Sequence, residues 1–254
     1  MRKRKSSRQY SKKISFNVDP SHFFNRDLSW LQFNRRVLHE ASDKRNPLLE
    51  RLRFLIIFSS NLDEFVMKRV GYLKHQIASG FAHRSVDGMG PAEQLAAIRK
   101  HINEDLGSQR SIYLSLIGEL QRENIYVYDF EDLGTEDQEY CGVIFKRKIF
   151  PVLTPLSVDP GHPFPFISNL SYSLGLILKN PQTESILFSR VKIPEVIPGL
   201  IRLPQLDGDK KFRFVTTDTL VRSHLDLLYP GMEIQQTVPF RVTRDGRASC
   251  RERV

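Results

Sequence analysis

The apolar positions of this chain change period near residue 124. From Trp30 to Leu120 they recur at steps of three and four, the spacing of one helix face, whereas from Ile125 onward they come in short β-branched and aromatic runs divided by turns. A chain with that change of period cannot be one bundle or one sheet. The expected fold is mixed: an all-α helical bundle followed by an α+β domain. With 254 residues, 40% of them hydrophobic, the chain can supply a core to each part.

Four helices are expected in the first part. Ser29 with Gln32 fits a capping box, and Trp30, Phe33, Val37 and Ala41, broadened by Leu31 and Leu38, form the apolar stripe that follows. Asn46-Pro47 reads as a cap with proline in the first turn of a second helix, which runs to about Phe58. After Ser59-Ser60-Asn61 the pattern restarts through Leu62, Phe65, Val66, Arg69, Val70, Leu73 and Ile77 and stops before Gly80, which gives a third helix. Leu95, Ile98, Ile102, Leu106, Ile112, Leu116 and Leu120 mark a long fourth helix that starts near Pro91. In the second part, strands are expected at residues 125–128, 173–178, 185–191, 212–215 and 233–242, with helices at 136–150 and 219–228.

The net charge of +9 invites a nucleic-acid reading, but it sits at the two ends. Seven Lys or Arg and no acid occupy residues 1–13, a further surplus of two lies in residues 246–254, and residues 14–245 balance. The body therefore makes no bulk case for nucleic acid. The organisation expected is a basic tail over residues 1–20, too poor in apolar side chains to order, a helical domain at 21–124, an incomplete α+β domain at 125–245, and a distinct tail at 246–254. No apolar run is long enough to span a membrane, and the basic start lacks the apolar core of a secretory signal. The default compartment is cytoplasmic, with membrane association through the basic tail as the other option. Cys141 and Cys250 are too few for a disulfide framework, and Cys141 reads as a small buried hydrophobe.

The usual local signatures of phosphate and metal chemistry are missing: no GxxxxGK[ST] loop, no GxGxxG after a strand, no HExxH and no GxSxG. None of the histidines at 22, 39, 75, 83, 101, 162 and 224 is followed two residues later by Lys, so there is no HxK nucleophile, and each reads as a structural imidazole. From the residues alone Asn61 reads as the cap of the third helix. Asp63 and Glu64 read as first-turn acids stabilised by the helix dipole rather than as a magnesium site. Arg69, on the face of Phe65 and Leu73, either pairs internally or points to a site, and Lys146, Arg147 and Lys148 read as the solvated face of a helix.

Three blocks, residues 25–41 (NRDLSWLQFNRRVLHEA), 47–55 (PLLERLRFL) and 60–65 (SNLDEF), taken in this order, closely resemble the start of the polyphosphate kinases. Residues 161–171 (GHPFPFISNLS), 229–234 (YPGMEI) and 239–244 (PFRVTR) resemble blocks of that family's second domain, so the likeness runs from about Phe23 to Arg244. Lys68 departs from the apolar residue of the pattern. The resemblance implies reversible transfer of the ATP γ-phosphate to inorganic polyphosphate through a phosphohistidine, with magnesium (Mg2+) as cofactor. It also implies a first domain that forms part of the adenine pocket, a second domain that takes part in homo-oligomer contacts, and later domains, not contained here, that carry the catalytic histidines. On that likeness His162 is not a nucleophile, no catalytic residue and no metal ligand falls in this chain, and Asn61, which precedes Leu62-Asp-Glu-Phe65, is the ATP-binding residue.

The family pattern continues past Asp245 with an acidic, helix-forming stretch, whereas this chain reads Gly246-Arg-Ala-Ser-Cys-Arg-Glu-Arg-Val254. Those nine residues match the translation of a common sequencing-adapter oligonucleotide, so they are expected not to belong to the native protein, whose gene would encode a longer enzyme. The expectation is a piece of a kinase that is inactive alone. The alternative is a non-catalytic interaction module that binds protein or polyphosphate, and a natural carboxyl terminus would distinguish it.

Overall fold

The computed structural model describes residues 19–80, 83–158, 166–205, 208 and 210–244. The basic tail apart from Asp19 and Pro20, the 246–254 tail, His162 and Cys250 lie outside the described residues.

The helical part consists of α1 (Arg26–Ser42), α2 (Leu48–Phe65), a π-helical turn (Val66–Val70), α3 (Gly71–Ala78) and α4 (Pro91–Arg122). The N-cap of α1 is Asn25, not Ser29. Its Oδ1 accepts from the backbone N–H of Asp27 and Leu28 at 3.0 and 3.1 Å, so the capping box expected at Ser29 lies inside the helix. Asn46 likewise does not cap α2; its Nδ2 reaches back to the Glu40 carbonyl, and Pro47 itself stands at the N-cap.

The break expected at Ser59-Ser60-Asn61 does not exist. Ser59 donates its hydroxyl to the Leu55 carbonyl one turn back at 3.1 Å and accepts from Gln109 at 2.6 Å, so the residue that suggested a turn is satisfied within the helix. Residues 48 to 78 form one continuous rod through the π turn, closed by the Gly71 N–H to Val66 carbonyl bond. The rod ends as expected, with Gly80 at φ 68° and its N–H on the Ile77 carbonyl. Asn61 is consequently a mid-helix residue and caps nothing, and Asp63 and Glu64 lie at the end of α2, not in the first turn of a helix.

The buried stripe of α1 is Asp27, Leu31, Asn34, Leu38 and Ala41. Leu31, Leu38 and Ala41 of the expected stripe are buried and Val37 and Trp30 pack beside them, but Phe33 is exposed, and two of the five buried positions are polar residues that hydrophobic periodicity could not mark. Leu38, Ala41, Leu55, Phe58 and Leu116 make one core cluster, and Leu31, Phe65, Leu73 and Ile98 make a second. Ile77 and Leu106, expected on buried faces, are exposed. Arg51 ties three helices together by donating to the Ala41 carbonyl at 3.0 Å and to both carboxylate oxygens of Glu119.

The second part holds β1 (Ile125–Tyr128), α5 (Thr135–Ile144), β2 (Thr154–Val158), β3 (Tyr172–Lys179), β4 (Ile186–Lys192), β5 (Leu200–Arg202), β6 (Phe212–Thr216), α6 (Thr217–Arg222) and β7 (Glu233–Arg241). A three-stranded sheet runs β1-β6-β5, with β1 parallel to β6, and a four-stranded antiparallel sheet runs β2-β4-β3-β7. One core joins them: Leu174, Leu176, Leu178 and Val191 from the larger sheet meet Val215, Leu220 and the α5 side, where Cys141 is fully buried. The sequence pattern missed β2 and β5. Pro155 hides β2, and a proline is tolerated there because β2 is an edge strand; β5 is only three residues long. The helix expected at 136–150 is α-helical to Ile144 and then passes through a π turn (Phe145–Ile149), which leaves Lys146, Arg147 and Lys148 solvated.

Candidate functional site

Trp30, which packs against the second core cluster on one side, and the exposed Phe33 both line an open cleft of about 600 Å³ between the first half of α1 and the middle of the rod. The polar members of the lining are Asn61, Ser29, Arg26, Arg36, Lys68, Arg69, Asp27 and Glu64, with Phe65 on the rod side. Trp30 stacks on Phe65 with ring centroids 4.6 Å apart and planes 13° from parallel. The chemistry is that of a flat apolar wall, an amide, and four cations against two carboxylates. The surplus of positive charge is local, since the chain between its tails is electrically balanced.

Two of the charges are fixed by each other. Arg69 forms a two-pronged pair with Asp27, Nε to Oδ1 at 2.8 Å and Nη2 to Oδ2 at 3.0 Å, and Asp27 is buried beneath it. Arg69 therefore does both things the sequence left open: it pairs internally and it borders the cleft. The π turn between Phe65 and Gly71 adds a residue to the local turn just where Arg69 must reach α1. Lys68 pairs with Glu64 along the helix surface. Among the described residues Arg26 and Arg36 have no ion-pair partner, and Arg36 lies 5.8 Å from the centre of the Phe33 ring.

Asn61 sits in the cleft wall, half-buried. Its Nδ2 donates to Oδ1 of Asn34 at 3.0 Å, which leaves its own Oδ1 and a second amide hydrogen without a partner among the described residues. Asp63, adjacent on the same rod, is held by Arg241, and Thr243 Oγ1 also donates to it at 3.4 Å. Arg244 N donates to Asn169 Oδ1 at 2.8 Å. Residues separated by up to 180 positions thus meet beside the cleft: Asp63 and Met67 on the rod, Asn169, and Arg241, Thr243 and Arg244. No group of three His, Cys, Asp or Glu side chains among the described residues converges as a metal site, and the carboxylates nearest the cleft are each engaged by a cation. These residues do not fit a resident magnesium ion. His224, outside the cleft, stacks 4.5 Å from Phe145 and bonds the Leu220 carbonyl, a structural placement.

Comparison with known proteins bears directly on this arrangement. The family described as polyphosphate kinase N-terminal domain matches residues 23–128, and the polyphosphate kinase middle domain matches residues 136–253. The chain belongs to the polyphosphate kinase family. It is 44% identical over 241 residues to the polyphosphate kinase of Synechocystis, which covers 92% of this chain and 33% of that protein. It is 40% identical over 242 residues to the polyphosphate kinase of Mycobacterium tuberculosis, covering 91% and 33%. The fold is similar to the crystal structure of polyphosphate kinase from Porphyromonas gingivalis, with a TM-score of 0.77 at 29% identity, over 88% of this chain and 33% of that one. The chain spans about a third of the length of the curated relatives it matches.

The residues that sequence reasoning missed are Trp30, Phe33, Arg26 and Arg36 at the cleft and Asn34 behind it. One signal was present: two large aromatics stood one step off a stripe that already had enough leucines to fill the helix interface.

Proposed function

We propose that this chain supplies the base-facing wall of an ATP site in a polyphosphate kinase that reversibly transfers the ATP γ-phosphate to polyphosphate, and that it performs no transfer alone. The observation that carries the reading is the half-satisfied Asn61 amide in a cleft walled by the Trp30–Phe65 stack and rimmed by cations. A purine can stack on such a wall, and an amide with a free acceptor and a free donor complements the N6 and N7 edge of adenine. Arg26, Arg36 and Lys68 are the groups that would draw in the triphosphate. Family membership and the one-third span support placing the phosphorylated histidine and the magnesium ligands in the remainder of the parent enzyme. The same reading has the second part of the chain making contacts between copies.

The test is calorimetry of ATP, with magnesium, on the full chain and on Asn61→Ala, with the fold of each checked by circular dichroism. Binding that Asn61→Ala weakens by about tenfold, the loss of one or two neutral hydrogen bonds, is the expected result. A folded protein that binds no ATP, or an Asn61→Ala variant that binds it equally well, would overturn the reading. The chain incubated with ATP and polyphosphate should release no ADP, because the groups that orient and stabilise the reacting phosphate are not expected in it.

A further inference from the structure

Asn34 lies in the middle of α1 with no solvent exposure, and its amide makes two bonds. Nδ2 donates to the backbone carbonyl of Phe58 at 3.2 Å, and Oδ1 accepts from Nδ2 of Asn61 at 3.0 Å. A main-chain carbonyl can only accept, so the end of the Asn34 amide that meets it must be nitrogen. The other end is then oxygen, which can also only accept, and Asn61 must turn its nitrogen toward it. The orientation of the Asn61 amide, which a half-turn about its last side-chain bond would otherwise reverse, is therefore dictated from the backbone of Phe58, three residues earlier on the same rod.

We propose that Asn34 is the positioning residue through which the cleft selects a 6-amino purine over a 6-oxo purine. This rests on the reading that Asn61 meets the base edge. With Nδ2 held by Asn34, Oδ1 of Asn61 is the acceptor offered to the cleft. Adenine carries an amino donor at C6, whereas guanine and hypoxanthine carry a carbonyl acceptor there. A 6-oxo purine would set two acceptors against each other in a partly desolvated site, and the fixed amide could not turn to relieve them. Asn34 is not among the residues that line the cleft, so it touches no ligand, and its influence passes entirely through Asn61.

Burial makes the device rigid. Asn34 sits between Leu31 and Leu38 in the stripe that α1 presents to the other helices, so water cannot substitute for either of its bonds. The stripe is otherwise served by apolar residues, with Leu at the positions on both sides. An amide here costs desolvation that the helix interface does not require, but it sets the acceptor that the base would read.

The experiment is calorimetry of ATP, GTP and ITP on the full chain and on Asn61→Ala, Asn34→Leu and Asn34→Asp. The wild-type protein is expected to favour ATP over GTP and ITP by about tenfold or more, as for a site whose polar group would be left unpaired by the wrong ligand. Asn34→Leu, which keeps the branched shape but releases Asn61, should bring the three affinities to within about threefold of one another, since a free amide can turn to suit either base. Asn34→Asp, fully buried and so kept protonated, can donate its hydroxyl to the Phe58 carbonyl and still accept from Asn61 Nδ2, and should retain the preference, a rescue that loss of packing would not show. A purely structural role would instead weaken all three nucleotides in proportion. If Asn34→Leu does not melt cooperatively, Asn34→Ala, too small to strain the helix contact, takes its place. Loss of the preference in Asn61→Ala together with its persistence in Asn34→Leu would overturn the positioning role and leave the reading of the cleft intact. Persistence in Asn61→Ala, or no nucleotide binding by the wild-type chain, would overturn both.

Discussion

Replacing Asp27 by alanine separates the architecture of the cleft from its surface charge. Asp27 accepts two charge-assisted hydrogen bonds from Arg69, and the side chains are 4% and 31% exposed, respectively. Each such bond contributes about 1.5–3 kcal/mol net, and an acid in the first turn of α1 adds roughly 0.5 kcal/mol through the helix dipole. Part of this is returned, because Arg69 is exposed enough to regain water when its partner is gone. A net loss of about 3 kcal/mol is expected. With an m value of about 3 kcal/mol/M in urea, the unfolding midpoint of the full chain, followed by far-ultraviolet circular dichroism, should fall by about 1 M. The control is Glu64→Gln, which removes the solvent-exposed partner of Lys68 on the same rod and should change stability by less than about 0.5 kcal/mol. If Asp27→Ala moves the midpoint no further than Glu64→Gln does, the pair does not hold α1 to the rod and the argument fails.

Arg51→Met should cost about 3 kcal/mol by stranding the Ala41 carbonyl and Glu119, whereas Arg53→Met, whose partner Glu50 is 3.7 Å away at the surface, should cost under about 0.5 kcal/mol. The hydrogen bonds from Arg51 hold the Glu119 carboxyl below its ordinary value. A depressed folded-state value means that this stability is present above the unfolded pKa of about 4.3 and is lost as pH falls through the folded one; Arg51→Met should flatten that acid limb of a urea-midpoint titration. Burial pushes the Cys141 thiol up to about 11, so in a Cys250→Ser background it should react with Ellman's reagent at pH 8 only as the protein unfolds, and immediate reaction of the native chain would contradict its burial. Gly175→Ala would set a methyl 3.3 Å from Phe240 and 3.4 Å from Phe188, and should lower the thermal midpoint through about 1 kcal/mol of overpacking.

Asn61 shows where sequence reading reached and where it stopped. The resemblance of the SNLDEF block proposed it as an ATP-binding residue, and the structure places it in a cleft wall; its neighbours suggested a helix cap, because serine and asparagine are common at caps and their satisfaction inside a helix depends on partners 27 and 50 positions away. The same blindness hid part of the buried face of α1. Asp27 and Asn34 are buried because Arg69 and Asn61 satisfy them, and no local pattern announces such partners.

What the amino-acid order determined by itself is everything carried by period and local cost: a helical part giving way to strands at residue 125, the stop at Gly80, the long helix from Pro91, the strands expected at 125–128 and 212–215, and membership of a family through contiguous blocks. Tertiary structure decided the rest. It joined two expected helices into one rod, set Trp30 and Phe33 along a cleft, paired Asp63 with Arg241 across 178 residues, and aimed the Asn61 amide through Asn34. The physical reason is one of range. Helix and strand preferences are set within a turn or two of each residue, whereas the cost of burying a polar group is cancelled only by a partner that the folded chain brings to it.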